Sequence, residues 1–497
     1  MHALRRIVLA PVALAIALAL AASGLSWPSD IGAPTRPAID QPAVSLHPSG
    51  SGAVAGATFT PNAATRGMTA GAPIKRVKPT ATPATSAIVA GSVNRASVVM
   101  SATYDVALNL NFGTRVITVD TILAAKNTSG GPVDRLELNT VAARLGGLRI
   151  LNVSVDAGPA TATVNDQTIV IPLGGTLPQG ATVKARVIYR ATLRSDLAGS
   201  NWLFTRVNGI ANLYRWLPWI SRATAFDRPN HGDPFVTAVS PRVTVKVMTD
   251  RPLVVATTGR RIAASGLTQT FQAENVRDFT VTAAPDFRTG SRVVGKTTVR
   301  VWYRPGFPAT AALDAAAKAL ERMNGLAGTY PYGHYNVVQS AGGYAMESPG
   351  LIWVPTGVAS SNLRYLVYHE TAHQWFYGVV GGDQAREPFT DEAAADFLAR
   401  YALGTKRASR CSTARLDLTI YQYSSGCYYE IVYIQGGNFI DDLRSRMGST
   451  DFWRGLRAWV TQNRFAIAPT KSLLETLDAH TPLDLVPRYK TRFPRLY

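Results

Sequence analysis

The stretch Ser360-Ser361-Asn362-Leu363-Arg364-Tyr365-Leu366-Val367-Tyr368-His369-Glu370-Thr371-Ala372-His373 decides how the chain is read. Ser361 and Asn362 are helix-capping residue types. Leu363, Leu366, Val367 and Trp375 recur at helical spacing before Gly378, Gly381 and Gly382 end the pattern. Residues four apart share a helix face, so the imidazoles of His369 and His373 can reach one ion. Glu370 is turned about 100° from His369. It therefore stands beside such an ion, where it can hold a water instead of ligating.

Glu392 follows nineteen residues after His373, and Thr390 marks a second helix start with Asp391 and Glu392 in its first turn and Gly404 past its end. Two helices joined through a glycine-broken turn bring Glu392 back as a third ligand. Two His and one Glu leave a fourth tetrahedral position open, which suits one catalytic zinc ion better than a structural one. Asp396 lies one turn beyond Glu392. It either orients a ligand histidine from the second shell or is a solvated helix carboxylate. His231, His334 and His480 read as ordinary surface or core histidines.

Before this segment, Thr297 to Tyr303 and Tyr335 to Ser340 read as strands around a helix from Ala309 to Leu326, an α+β pattern. After it, Tyr429 to Met447 and Asp451 to Gln462 read as helices. The expected divisions are a mixed domain over 291–450 and a short helical part over 451–497.

Over 95–290 the pattern changes to short alternating runs, such as Tyr104 to Asn111, Val116 to Ala125 and Thr182 to Ala191, separated by Gly, Pro, Asn and Asp. This predicts an all-β, sandwich-like domain. Its aromatic stretch Tyr214-Arg215-Trp216-Leu217-Pro218-Trp219 reads as core or inter-domain seat more than as a ligand surface. Residues 27–94 are rich in Pro, Ala, Thr, Gly and Ser and nearly free of aromatics, and they read as a disordered linker. Residues 1–26 carry two arginines and then the apolar run Ile7 to Ala22, the pattern of a secretory signal, with an uncleaved N-terminal anchor as the alternative. Export follows, to the outside or to an envelope to which the N-terminus attaches the chain. The two cysteines, Cys411 and Cys427, are expected to pair in that compartment.

At 497 residues with 46 % hydrophobic and 17 % charged content, the chain is globular and multidomain, not collagen-like, coiled-coil or multi-span. The 51 Lys and Arg against 32 Asp and Glu give a net charge of +19. The basic residues are scattered through the strand-like segments, so no nucleic-acid partner is expected.

His369-Glu370-Thr371-Ala372-His373-Gln374-Trp375-Phe376 with Glu392 resembles the gluzincin metalloaminopeptidases, the aminopeptidase N and leukotriene hydrolase family, over about Tyr104 to Thr470. The resemblance implies a β sandwich followed by a thermolysin-like catalytic domain, and peptides or proteins as substrates. Gly343-Tyr344-Ala345-Met346-Glu347-Ser348 is similar to the family's Gly-Ala-Met-Glu-Asn edge strand. That similarity implies that Glu347 binds the substrate's α-amine and that Tyr344 and Met346 lie at the substrate. Tyr433-Ile434-Gln435-Gly436 resembles the family's Tyr-x-Lys-Gly, which implies Tyr433 as the oxyanion donor beside the base Glu370. Tyr344 replaces a family Gly, Ser348 an Asn and Gln435 a Lys, and Asp391 and Ala393 stand where Asn and Gly usually flank the distal Glu. The large helical region that follows in many members has no counterpart up to Tyr497, so a more open cleft is expected. The expected activity is zinc-dependent removal of N-terminal residues. An open-cleft endopeptidase and an inactive zinc-bound adhesin of the envelope are the alternatives.

Overall fold

Every second side chain of Met100–Asn111 is buried, the period-2 pattern of a strand with one face on a core. In the computed structural model, which describes residues 86–228 and 232–497, this strand lies inside an eight-stranded sheet. Val116–Asn127 pairs with it antiparallel and Val243–Thr249 parallel. Two four-stranded sheets share the same apolar core, which includes Leu108, Val119, Leu138, Ile171, Val187, Trp216 and Val281. The amino-terminal half is thus a β domain, built of three sheets where a simple sandwich was expected.

The end of the expected linker is corrected by its contacts. Val89 forms a bridge with Thr176. The Asp134 carboxylate accepts hydrogen bonds from the Ser92 hydroxyl and from the backbone N–H groups of Val93, Asn94 and Arg95. Residues 86–94 are therefore docked on the β domain, because one carboxylate satisfies four donors at once. The signal or anchor expected over 1–26, and the linker up to residue 85, lie outside the described residues. Among the described residues no helix is long and apolar enough to cross a membrane.

The second half begins before the expected boundary at 290. Arg288–Val294 pairs antiparallel with Thr297–Tyr303 and forms the edge of a five-stranded mixed sheet. His334–Ser340 and Leu351–Pro355 follow in parallel, and Met346–Ser348 closes the other edge antiparallel to Leu351–Pro355. The alanine-rich helix Ala309–Ala327 lays Ala312, Ala316, Ala319 and Met323 on Val299, Val301 and Val337. Small side chains allow that helix to approach the sheet closely. Helices Ser449–Gln462, Thr470–Asp478 and Val486–Arg492 contribute Trp459, Leu474 and Tyr489 to the same core. The short helical part over 451–497 packs into the core of the α+β domain. Cys411 and Cys427 form a disulfide with a Cα–Cα distance of 6.0 Å, closing the loop that leads into the segment carrying Tyr433.

Candidate active site

The motif helix runs Ser360–Ala372 and is entered from Ala359 with no side-chain cap. The capping expected from Ser361 and Asn362 is not made, because both lie within the first turn. After His373 the backbone widens. Gly378, Val379 and Val380 donate to the carbonyls five residues back, at 2.8, 3.0 and 2.9 Å. Gln374 latches this turn to the sheet: its amide donates to the Ser348 carbonyl at 3.0 Å and accepts from the Gly350 N–H at 2.8 Å. The motif helix and the Met346–Ser348 edge strand are thereby held together.

Glu392 arrives on a wide turn, Phe389–Ala393, that precedes helix Ala394–Leu403 and replaces the Thr390-capped start expected there. Gly404 ends that helix in the left-handed conformation with φ 67°, which glycine adopts at no steric cost. The extra residue per turn buries Asp391 and Glu392 together. A similar wide turn, Tyr429–Gln435, carries Tyr433. Gly436 after it permits close approach, since a Cβ there would lie 2.6 Å from the Ala393 Cβ.

These elements bring His369, His373 and Glu392 together. The two Nε2 atoms lie 3.2 Å apart, and Glu392 Oε2 is 3.3 Å from one and 3.5 Å from the other. All three side chains are buried, and their ligand atoms fall within 4.8 Å of one another. Glu370 is buried one position away on the motif helix, and its Oε2 has no hydrogen-bond partner among the described residues. Glu347, Glu370 and His373 also offer atoms within 4.8 Å of one another, so five functional side chains crowd one place.

The orientation of the histidines differs from expectation. His373 Nδ1 lies 2.8 Å from Asp391 Oδ1 and 3.1 Å from the Phe376 carbonyl. Nδ1 therefore donates to these acceptors, and Nε2 faces Glu392 and His369. Asp396 touches neither histidine. Buried completely, it pairs with Arg400 at 2.8 Å and accepts from the Tyr365 hydroxyl. The second-shell role expected of Asp396 thus belongs to Asp391, because the wide turn moves the carboxylate preceding Glu392 inward. His369 is held between rings, Tyr433 stacked at 5.5 Å and Tyr365 at 5.8 Å, and its Nδ1 has no partner among the described residues.

The fit to a dication is read from the donor set. Two imidazole nitrogens and a carboxylate oxygen converge in one buried site, a donor set that suits a divalent cation such as zinc. Burial alone would raise the Glu392 pKa, yet contacts with His369 and His373 hold it below the ordinary carboxylate range. Burial opposes a charge on His373, but the Asp391 and Glu347 carboxylates outweigh it and raise its pKa well above the usual imidazole value. Desolvation pushes Glu370 up to about 7 against the pull of both histidines. Glu347 is raised well above its usual value, first by burial, with Asp233, Asp391 and Glu370 adding to it against His373.

The remaining expected residues fall around this centre. Met346 is buried and Glu347 follows it on the edge strand. Tyr344 is half exposed and meets Trp202 edge-on at 5.7 Å; Gly343 is needed beside it, because a Cβ would lie 2.4 Å from the Trp202 ring. The Ser348 hydroxyl is engaged with Asp278 and with Thr258. The Tyr433 phenol is within hydrogen-bonding reach of Glu392. Tyr428 is also near, its ring 6.0 Å from that of Tyr433 and its buried hydroxyl without a partner among the described residues. Tyr421 and Tyr423 bond elsewhere, to Ala225 and Arg415 carbonyls. Gln384, Arg215 and Asp233 also reach the site, and no spacing or motif in the sequence marks them.

No family model and no curated protein sequence matches the chain. Solved structures do. A point variant of the M1 zinc metallopeptidase from Deinococcus radiodurans superposes with TM-score 0.63 at 18% identity, over 79% of this chain and 94% of that one. The fold is that of the M1 zinc metallopeptidases. The same Deinococcus radiodurans variant bound to a Tyr-Ser-Ala substrate gives TM-score 0.63 at 19% identity, over 79% and 93% of the two chains. A two-domain M1 zinc metallopeptidase variant bound to L-tryptophan gives 0.61 at 19%, over 77% and 91%. The likeness covers more than three quarters of this chain and more than nine tenths of each of these neighbours.

Proposed function

We propose that the chain is an exported zinc peptidase that removes residues from the free amino end of peptides. The observation that carries this reading is the buried convergence of His369, His373 and Glu392 beside an unpartnered Glu370. The M1 fold supports it, and so do the names of its structural neighbours, one of which holds a tripeptide substrate and another a free amino acid.

His369, His373 and Glu392 would hold the zinc. When bound, zinc supplies Lewis acidity toward the scissile carbonyl and a water that ionises near pH 7. Glu370 takes the proton of the attacking water and delivers it to the leaving amine, the task of a buried carboxylate beside the metal's open position. Tyr433, its phenol kept protonated by burial and by the neighbouring Glu392, donates a hydrogen bond to the developing oxyanion. The substrate backbone adds to Met346–Ser348, whose outer side is the unpaired edge of the sheet. Glu347 then accepts from the α-ammonium, and the Tyr344 ring borders the first side chain.

Export rests on the charged start and apolar run Ile7 to Ala22 and on the Cys411–Cys427 disulfide, which persists outside reducing compartments. The test combines zinc analysis of the purified chain with hydrolysis of a peptide series offered with free and N-acetylated amino ends. One zinc per chain and selective cleavage of the free peptides are expected. Equal cleavage of both series would establish an endopeptidase, and a zinc-bound chain inert toward a broad panel would establish a binding protein.

A further inference from the structure

The loop between the motif helix and Glu392 is seated on the β domain. Arg222 forms a bidentate pair with Asp383 at 2.6 and 3.0 Å, and the next residue, Gln384, donates its backbone N–H to the Phe235 carbonyl at 3.2 Å. The Gln384 side chain is buried and points the other way, into the carboxylate cluster. Its Nε2 donates to Asp391 Oδ2 at 2.7 Å and to Glu347 Oε1 at 3.2 Å, and its Oε1 accepts from Arg215 Nη2 at 3.3 Å.

Arg215 is a fully buried guanidinium of the β domain. It stacks 4.1 Å over the Phe235 ring and donates to the Tyr377 hydroxyl at 2.8 Å. A primary amide has two N–H groups, and here each is given to a different carboxylate. One of these carboxylates orients the ligand His373, and the other faces the place proposed for the substrate amine. Arg215 polarises the amide from behind, so both N–H groups become better donors toward negative oxygens.

We propose that Gln384 is a positioning residue that couples recognition of the substrate amine to retention of the metal, with Arg215 as the β-domain strut that fixes it. The amine half of this proposal rests on the role proposed above for Glu347; the metal half, through Asp391 and His373, does not. Without the amide, Glu347 would lose this donor and Asp391 would be held by His373 alone, with a second buried carboxylate beside it. The β domain is then a working part of the site, because the strut originates there.

The experiment is made on the full chain with Gln384→Met, which keeps the side-chain volume and removes both donors. Two readouts are taken: zinc affinity by competition with a chromophoric chelator, and the ratio of kcat/KM for a free peptide over its N-acetylated form. Zinc binding is expected to weaken about tenfold, as when the partner of a ligand histidine is disturbed. The ratio is expected to fall about tenfold through KM, the usual scale for a lost hydrogen bond to a charged group. A purely structural residue would lower Tm and depress both substrates equally, with zinc affinity and the ratio unchanged, and that result would overturn the proposal. Gln384→Glu retains the size and the Arg215 contact but places a third carboxylate in the cluster; it serves if the Met variant does not fold, with the same two losses expected. If the wild-type chain cleaves free and blocked peptides equally, the amine reading fails, and the zinc readout still decides whether Gln384 positions Asp391.

Discussion

The Nδ1 of His373 lies 2.8 Å from the Asp391 carboxylate, and the residue that supplies this partner immediately precedes the third ligand, Glu392. One wide helical turn thus delivers both a ligand and the group that orients another ligand. Removing the carboxylate by Asp391→Ala is expected to weaken zinc binding about 10- to 100-fold, measured by chelator competition. Asp396→Ala should leave zinc affinity nearly unchanged while destabilising the fold by about 3 kcal/mol, since Arg400 and Tyr365 would lose a buried partner. Denaturant titration together with zinc affinity separates the two, and loss of zinc in the Asp396 variant would contradict the geometry.

Glu370 touches the site without being among its three converging ligands. Glu370→Gln removes the proton acceptor and preserves the shape, so zinc should remain at wild-type stoichiometry while kcat falls about 100- to 10,000-fold. Metal analysis and steady-state kinetics on the same preparation check this. A variant that turns over at the wild-type rate would leave Glu370 with no catalytic part.

Tyr433 and Tyr428 both lie near the carboxylates, yet only Tyr433 stacks on a ligand histidine. Tyr433→Phe should lower kcat about 100-fold, corresponding to ~3 kcal/mol for one oxyanion donor, with KM little changed. Tyr428→Phe should lose much less. The reverse order would transfer the donor role to Tyr428, whose hydroxyl is buried without a partner.

Asp134 anchors residues 92–95 to the β domain. Burial raises its pKa, but the hydrogen bonds from Ser92, Val93, Asn94 and Arg95 together outweigh it and bring the value down to about 2. A carboxyl with a lowered folded pKa stabilises above its unfolded value of about 4, and that contribution is lost as pH falls toward 2. The segment should therefore become susceptible to limited proteolysis between about pH 4 and pH 2. Asp134→Asn should produce the same susceptibility at pH 7. Resistance of the variant at neutral pH would show that the Val89–Thr176 bridge alone holds the segment.

Much of the centre was legible in the chain because its rules are local. Two histidines four apart on a helix share a face whatever surrounds them, and the Glu392 spacing fits any return helix. Alternation along Met100–Asn111 and the alanine-rich face of Ala309–Ala327 likewise exposed strand and helix from neighbouring residues alone. The capping expected from Ser361 and Asn362 is not made, because the helix starts at Ser360, two or three residues earlier than their residue types suggest.

Only the tertiary structure decided which carboxylate serves which histidine. A π-type turn adds one residue per turn and rotates every later side chain, so Asp391 points to His373 while Asp396, one α-turn on, points to Tyr365 and Arg400. The contacts of Gln384 join Asp391 in its own loop to Glu347, 37 residues away, and to Arg215, 169 residues away on the β domain. Local spacing pointed to His369, His373 and Glu392 as the proposed metal ligands and to Glu370 as the proposed base. The field that orients them arises from groups brought together by packing, which leaves no periodic trace in the sequence.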